Sequence, residues 1–171
     1  MRFKIIFLFL LSSSVFAQDF KAIDSYFTKA QKDWGVPGMS IGIVKDGKVV
    51  FSKSYGTKTQ GKNEKPNEET LYAIASNSKA FTSALIGMLV QEGKLDWDDK
   101  VRKYLPYFDL YDTYAGQNAT IRDILSHRVG LGTCSGDIMW YSAKLSSEES
   151  IRRINYIKPE YEFRAGYGYS N

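Results

Sequence analysis

The sequence predicts an α+β fold in which an antiparallel hairpin is followed by a mostly helical segment. Residues 39–44 and 49–51 are two apolar runs separated by Lys-Asp-Gly-Lys, which is a strong hairpin signal. Apolar residues recur at helical spacing over residues 20–30, and residues 71–92 are an apolar run of helical length. A single hairpin is not a stable sheet on its own, so further strands or a helical cover are expected around it.

The remaining elements follow in chain order. The first helix is expected to stop at the Gly-Val-Pro-Gly stretch of residues 35–38, and the polar residues 57–69 predict a surface loop. The next helix is closed by Gly93 and is apolar around nearly its whole circumference, which predicts a helix buried at the centre of a domain. Two later helices are predicted to start at Thr120, from a capping-box-like Thr-Ile-Arg-Asp, and at Ser146.

The first seventeen residues have the pattern of a secretory signal peptide. Basic residues near the start precede a short apolar run and then small residues, with an expected cut between Ala17 and Gln18. The apolar run is too short to span a bilayer, and no cysteine follows it for lipid attachment. We therefore expect a periplasmic or secreted protein with no stable membrane anchor after signal removal, and one domain over residues 18–171.

Composition excludes several classes of function. The 23 basic and 19 acidic residues give a formal charge of +4. The basic residues are scattered along the chain, which argues against a nucleic-acid partner. The single cysteine, Cys134, excludes an intramolecular disulfide and is expected to be buried, and the single histidine, His127, leaves little room for a metal site. A small-molecule or peptide substrate is the expected partner, and the sequence leaves the oligomeric state open.

The first motif with catalytic potential is Ser76-Asn-Ser-Lys79, at the entry of the apolar helix. Residues three apart at a helix start share a face, so the Lys79 amine is expected near the Ser76 hydroxyl. A serine hydroxyl becomes a good nucleophile when a neighbouring base takes its proton, and a lysine of lowered pKa can be that base. The other interpretation is a helix cap with a solvated lysine.

The second motif is Tyr169-Ser-Asn171. A tyrosine beside a lysine can carry a proton, and an asparagine amide can hold a substrate carbonyl or amide group. Without a further context, the same residues are compatible with an aromatic turn before a helix.

Together, these motifs resemble those of the serine β-lactamase and penicillin-binding-protein superfamily, most closely its class C β-lactamase and esterase branch. Further similar segments stand in the expected order, namely residues 34–44, 71–82, 92–106 and 120–131. The resemblance implies a β-lactamase/transpeptidase-like fold, in which a helical subdomain carries the nucleophile helix. Only the N-terminal hairpin of the antiparallel sheet is expected within these residues, so the chain resembles the N-terminal part of the domain.

The resemblance also implies roles for the motif residues. Ser76 would be the nucleophile, Lys79 its general base or proton partner, and Tyr169 the second proton carrier, with either of the last two removing the first proton. Asn171 would orient the substrate, and the Ser76 backbone N–H would form half of an oxyanion hole. The family's third motif, a lysine or histidine followed by a small residue and glycine, and the second oxyanion donor are expected beyond residue 171.

The sequence therefore predicts a secreted serine hydrolase that acts through a Ser76 acyl-enzyme on an amide or ester, without a metal or an organic cofactor. A β-lactam, a small ester or a D-amino-acid peptide would each fit as substrate. Two alternatives stay open: a peptidoglycan- or penicillin-binding module without turnover, and an inactive truncated fragment. A serine–histidine–aspartate triad through His127 is disfavoured because Lys79 makes it unnecessary.

Overall fold

A computed structural model describes residues 19–141 and 144–171. The predicted signal peptide, residues 1–17, lies outside the described residues. Along the chain the regular elements are α1 (Phe20–Asp33), β1 (Gly38–Lys45), β2 (Lys48–Gly56), α2 (Ser78–Gln91), α3 (Thr113–Asn118), α4 (Ile121–Leu125) and α5 (Ser147–Arg153). Over the two described stretches, no helix combines the length and apolar character needed to cross a membrane. The chain divides into two compact units between Ala73 and Ile74.

The first unit consists of α1 and the predicted hairpin. Asp19 caps α1 by accepting hydrogen bonds from the backbone N–H groups of the first turn. The helix packs on β2, where Phe20 stacks on Phe51 with ring centroids 5.8 Å apart and the Tyr55 hydroxyl donates to Asp24 at 3.0 Å. Through these contacts the amphipathic helix provides the cover that a lone hairpin requires.

The hairpin turn has the geometry that its sequence predicts. Asp46 and Gly47 both adopt positive φ angles, 50° and 72°, as a two-residue turn of the type favoured between antiparallel strands requires. Gly38 pairs with Gly56 at the open end, and the register shifts after Ile43. The two-stranded antiparallel sheet followed by helices confirms the predicted fold class.

The second unit is built around a small apolar core. Its cluster of buried residues consists of Val101, Phe108, Leu110, Ala115, Ala119 and Ile121. Thr120 caps α4 with the reciprocal capping box that the sequence predicts, and Ser146 caps α5 by accepting from the Glu149 N–H. The predicted starts of both helices are therefore confirmed.

The prediction that the apolar helix is buried is wrong for the described chain. No residue of α2 is buried, and the stripe of Phe81, Leu85 and Met88 is 65%, 61% and 55% exposed. Ile86 packs against the core cluster and Gly87 lies beside the indole of Trp97, so the second unit covers one side of the helix only. An all-round apolar pattern indicates burial only when neighbouring layers surround the helix.

Candidate functional site

Ser76 and Lys79 lie one turn apart where α2 begins. Ser76 is in a 3₁₀ turn, Ala75–Asn77, that leads directly into the helix, and Lys79 is the second residue of α2. The Lys79 Nζ donates a hydrogen bond to the Ser76 Oγ at 3.2 Å. The predicted closeness of the amine and the hydroxyl is therefore confirmed.

The residue before Ser76 has an unusual backbone conformation. Ala75 adopts a φ of +45°, which a residue with a Cβ atom rarely does. Of the five non-glycine residues with positive φ among the described residues, four belong to the segments that form this site: Ala75, His127, Cys134 and Arg164. Such strained positions concentrate at functional sites, where the surrounding structure holds them.

Tyr169 and Asn171 reach the same place from the other end of the chain. The Lys79 Nζ lies 4.9 Å from the centroid of the Tyr169 ring and also donates a hydrogen bond to the Asn171 Oδ1. The structure thus brings all four residues of the two sequence motifs into one cluster. We refer to Ser76, Lys79, Tyr169 and Asn171 as the site cluster.

Backbone hydrogen bonds connect the segment that carries Tyr169 to the loop that follows α4. The Gly168 N–H donates to the His127 carbonyl at 3.0 Å, and the Cys134 N–H donates to the Tyr169 carbonyl at 2.8 Å. A Cβ atom on Gly168 would lie 1.8 Å from the carbonyl oxygen of Leu131. Only glycine therefore allows these two segments to approach so closely.

A buried carboxylate, that of Asp123, also connects these two segments. Asp123 has no solvent-exposed surface and pairs with Arg128 (2.8 Å) and Arg164 (2.7 Å), besides accepting the capping-box hydrogen bonds of Thr120. Burial works to raise the pKa of Asp123, but the hydrogen bonds from Arg164, Thr120 and Arg128 outweigh it and hold the pKa well below its usual range. The arginines belong to the segments that carry His127 and Tyr169, so Asp123 fixes both.

His127 is the first residue that the sequence interpretation set aside and that the structure brings to the site. Its ring lies 4.8 Å from that of Tyr169, and its Nδ1 accepts a hydrogen bond from the Ser170 N–H at 3.4 Å. Burial, and then the positive charge of Lys79, lower the pKa of His127. A neutral imidazole that accepts at Nδ1 carries its proton on Nε2.

Asp137, which the sequence analysis did not single out, is a second residue that the structure brings to the site. The Asn171 Nδ2 donates to the Asp137 Oδ2 at 2.9 Å, and the Asn171 N–H donates to the Oδ1 at 3.3 Å. Burial works to raise the pKa of Asp137, but hydrogen bonds, first those from Asn171, outweigh it and lower the pKa. Both residues lie more than thirty positions from their partners in the sequence, so neither pattern nor spacing could have predicted these contacts.

The charge at Lys79 also affects Tyr169. Hydrogen bonding to Lys79 and then to Ser76 lowers the pKa of Tyr169, since the phenolate form is the better partner of a cation. The prediction that Cys134 is buried is wrong: the residue is exposed, and its backbone N–H pairs with the Tyr169 carbonyl.

An apolar cavity of about 530 Å³ adjoins the site cluster within the second unit. The polar residues that line it include His127, Ser170 and Asn171. Its apolar walls include Leu105, Ile124, Met139, Trp140 and Ile151. Among the described residues, no group of three or more histidine, cysteine or acidic side chains is arranged to hold a metal ion. The neighbouring carboxylates of Asp98 and Asp99 form ion pairs with Arg122 and Lys103, respectively.

The chain is similar to known proteins in both sequence and structure. The family model described as Beta-lactamase matches residues 23–171. Protein flp of Staphylococcus aureus strain NCTC 8325 is 45% identical over 122 residues, which are 70% of this chain and 22% of that protein. Unguisins hydrolase ungD' of Aspergillus campestris is 34% identical over 147 residues, 81% of this chain and 27% of that protein. The chain thus spans about a quarter of the length of these curated relatives.

The octameric penicillin-binding protein homologue from Pyrococcus abyssi has a similar fold. It aligns with a TM-score of 0.73 and 27% identity, over 89% of this chain and 36% of that one. The likeness agrees with the fold class predicted from the sequence.

Proposed function

Because the chain belongs to the Beta-lactamase family, we propose that the protein is a secreted serine hydrolase that forms an acyl-enzyme on Ser76. The observation that carries the proposal is the site cluster. A serine hydroxyl, a lysine amine and a tyrosine of lowered pKa meet at a helix start, which is the arrangement that an activated nucleophile requires. The name of the Aspergillus relative, a hydrolase, also supports the reaction class.

The proposed reaction begins with attack of the Ser76 Oγ on the carbonyl carbon of an amide or ester. The Lys79 Nζ already donates to Ser76 and Asn171, and an ammonium group cannot accept a proton. Tyr169, whose pKa is lowered, is therefore assigned as the first acceptor of the Ser76 proton. Lys79 stabilises the phenolate form of Tyr169 that accepts this proton, and the transfer leaves Tyr169 as a neutral phenol.

The remaining steps return the proton and release the product. Proton transfer from Tyr169 to the leaving amine or alcohol would break the carbonyl–heteroatom bond and leave an ester on Ser76. Water then attacks this ester while the Tyr169 phenolate takes its proton, and return of that proton to the Ser76 Oγ breaks the ester bond and frees the acid. The Ser76 N–H is one proposed oxyanion donor, and Asn171 would orient the substrate through its amide. The substrate class includes β-lactams, small esters and peptides with a D-amino acid.

The proposal is tested by covalent labelling of the product of the full reading frame. A fluorophosphonate probe and a penicillin probe should both label the wild-type protein at the peptide that contains Ser76. The label should be lost in Ser76→Ala and kept in Ser78→Ala. Ser78 is a matched control because it is an exposed serine at the first position of α2, and none of the hydrogen bonds within the site cluster involves its hydroxyl.

Three results would overturn the proposal. A wild-type protein that takes no label, or a label that survives Ser76→Ala, excludes Ser76 as the nucleophile. A penicillin adduct that forms once and is never released would replace hydrolysis with a binding module without turnover.

A further inference from the structure

Within residues 19–141 and 144–171, Asp137 is the one acidic side chain with both carboxylate oxygens bonded to a residue of the site cluster. Asp137 begins a 3₁₀ turn, Asp137–Met139, directly after Gly136, which has a φ of +82°. Its two oxygens accept from the side-chain and the backbone nitrogen of Asn171. Both contacts come from one residue, so they fix the position and the rotation of Asn171 together.

The chemistry of the carboxylate determines which way the amide of Asn171 points. An ionised carboxylate only accepts hydrogen bonds, so the NH₂ end of the amide must face Asp137. The carbonyl end then faces Lys79, whose ammonium group only donates. A reversed amide would direct NH₂ at the ammonium and oxygen at the carboxylate, which are two repulsive contacts.

We propose that Asp137 is a positioning residue that acts through Asn171 on Lys79. The carboxylate fixes the orientation of the amide, the amide oxygen holds the Lys79 ammonium, and the ammonium is thereby kept against Ser76 and Tyr169. Asp137 does not touch the reacting atoms. This inference rests on the proposed function, since its effect is measured on the acylation of Ser76.

The test is a double-mutant cycle on the rate constant of Ser76 acylation by the penicillin probe, in the product of the full reading frame. Asp137→Asn removes the charge and one of the two acceptors, and the acylation rate constant should fall roughly 10- to 100-fold. In an Asn171→Ala background the same change should have no further effect, because the group through which Asp137 acts is gone. Asp46→Asn, at the hairpin turn, is the matched control and should acylate like the wild type.

A second pair of variants separates positioning from a general effect on folding. Asp137→Glu retains the carboxylate and should regain part of the acylation rate, whereas Asp137→Gln should not. The apparent dissociation constant of the probe should change less than the acylation rate constant, since Asp137 is proposed to align Lys79 and not to bind substrate.

Three outcomes overturn the inference. A loss from Asp137→Asn that is equally large in the Asn171→Ala background means that Asp137 does not act through Asn171. A loss that is confined to substrates with a protonated amine means that Asp137 binds substrate directly. Equal acylation rate constants for Asp137→Gln and Asp137→Glu mean that the charge of the side chain is irrelevant. A wild type that takes no label refutes the proposed function instead, which keeps the two failures distinguishable.

Discussion

Replacement of the buried carboxylate by Asp123→Asn should be the most destabilising single change in the second unit. The substitution keeps the size of the side chain and removes its charge, so Arg128 and Arg164 lose their shared counter-ion. Breaking a buried ion pair costs about 3–5 kcal/mol. The arginines are 40% and 42% exposed and water can solvate them in part, so we expect the lower end, about 3 kcal/mol.

The assay is urea unfolding followed by circular dichroism. With a slope of about 2 kcal/mol per molar of urea, a loss of about 3 kcal/mol lowers the midpoint by roughly 1.5 M. Asp98→Asn is the matched control, because Asp98 also pairs with an arginine but is 69% exposed. Its midpoint should stay within the error of the wild type. Equal midpoints for the two variants would refute the reasoning from burial.

The same pair predicts a pH dependence of definite sign. The pKa of Asp123 is lower in the folded protein than in the unfolded chain, so its stabilisation is present above the usual aspartate pKa of 3.8. It is lost as the pH falls through the lower folded value. The difference in stability between wild type and Asp123→Asn should therefore shrink as the solution is acidified below pH ~4.

Two further predictions concern close packing and a shifted titration. Gly168→Ala should lower the acylation rate constant by roughly 10-fold or more, because its Cβ would displace the segment that carries Tyr169. Gly42→Ala is the control, since a Cβ atom there meets no atom within 4 Å and the acylation rate constant should not change. Equal rate constants for the two variants would contradict the steric argument. Burial, followed by the Asp24 carboxylate, raises the pKa of Tyr55 to about 12. An absorbance titration of tyrosinate should lose this late step in Tyr55→Phe, and the stability that Tyr55 contributes should decline as the pH rises from ~10 through its folded pKa.

The sequence predicted the elements whose signals are local. Asp46-Gly47 specifies a turn through its own backbone preferences, and the Thr120 capping box lies within four residues. The same holds for Ser76 and Lys79, which one helical turn brings together. Such features depend on residues that are close neighbours in the chain, so a short window of the sequence contains all the residues that determine them.

The features that the sequence did not predict depend on contacts between distant residues. The exposure of α2 is decided by which other elements cover it, and its own composition contains no such information. The partners of Asn171 and Tyr169, Asp137 and His127, come from a loop more than thirty residues away. That loop is placed by Asp123 and its two arginines, and no periodicity relates those residues.

The four strained residues of the site segments constrain how this protein can evolve. Glycine at position 75 or 134 would relieve the backbone, yet it would also enlarge the set of conformations open to the segments that hold Ser76 and Tyr169. Asparagine, which tolerates positive φ better than most residues, is the substitution that such positions accept with least disturbance. Selection for stability and selection for the proposed activity would therefore favour different residues at the same few sites. A laboratory search for more stable variants should find many of its hits there, with a slower proposed acylation of Ser76.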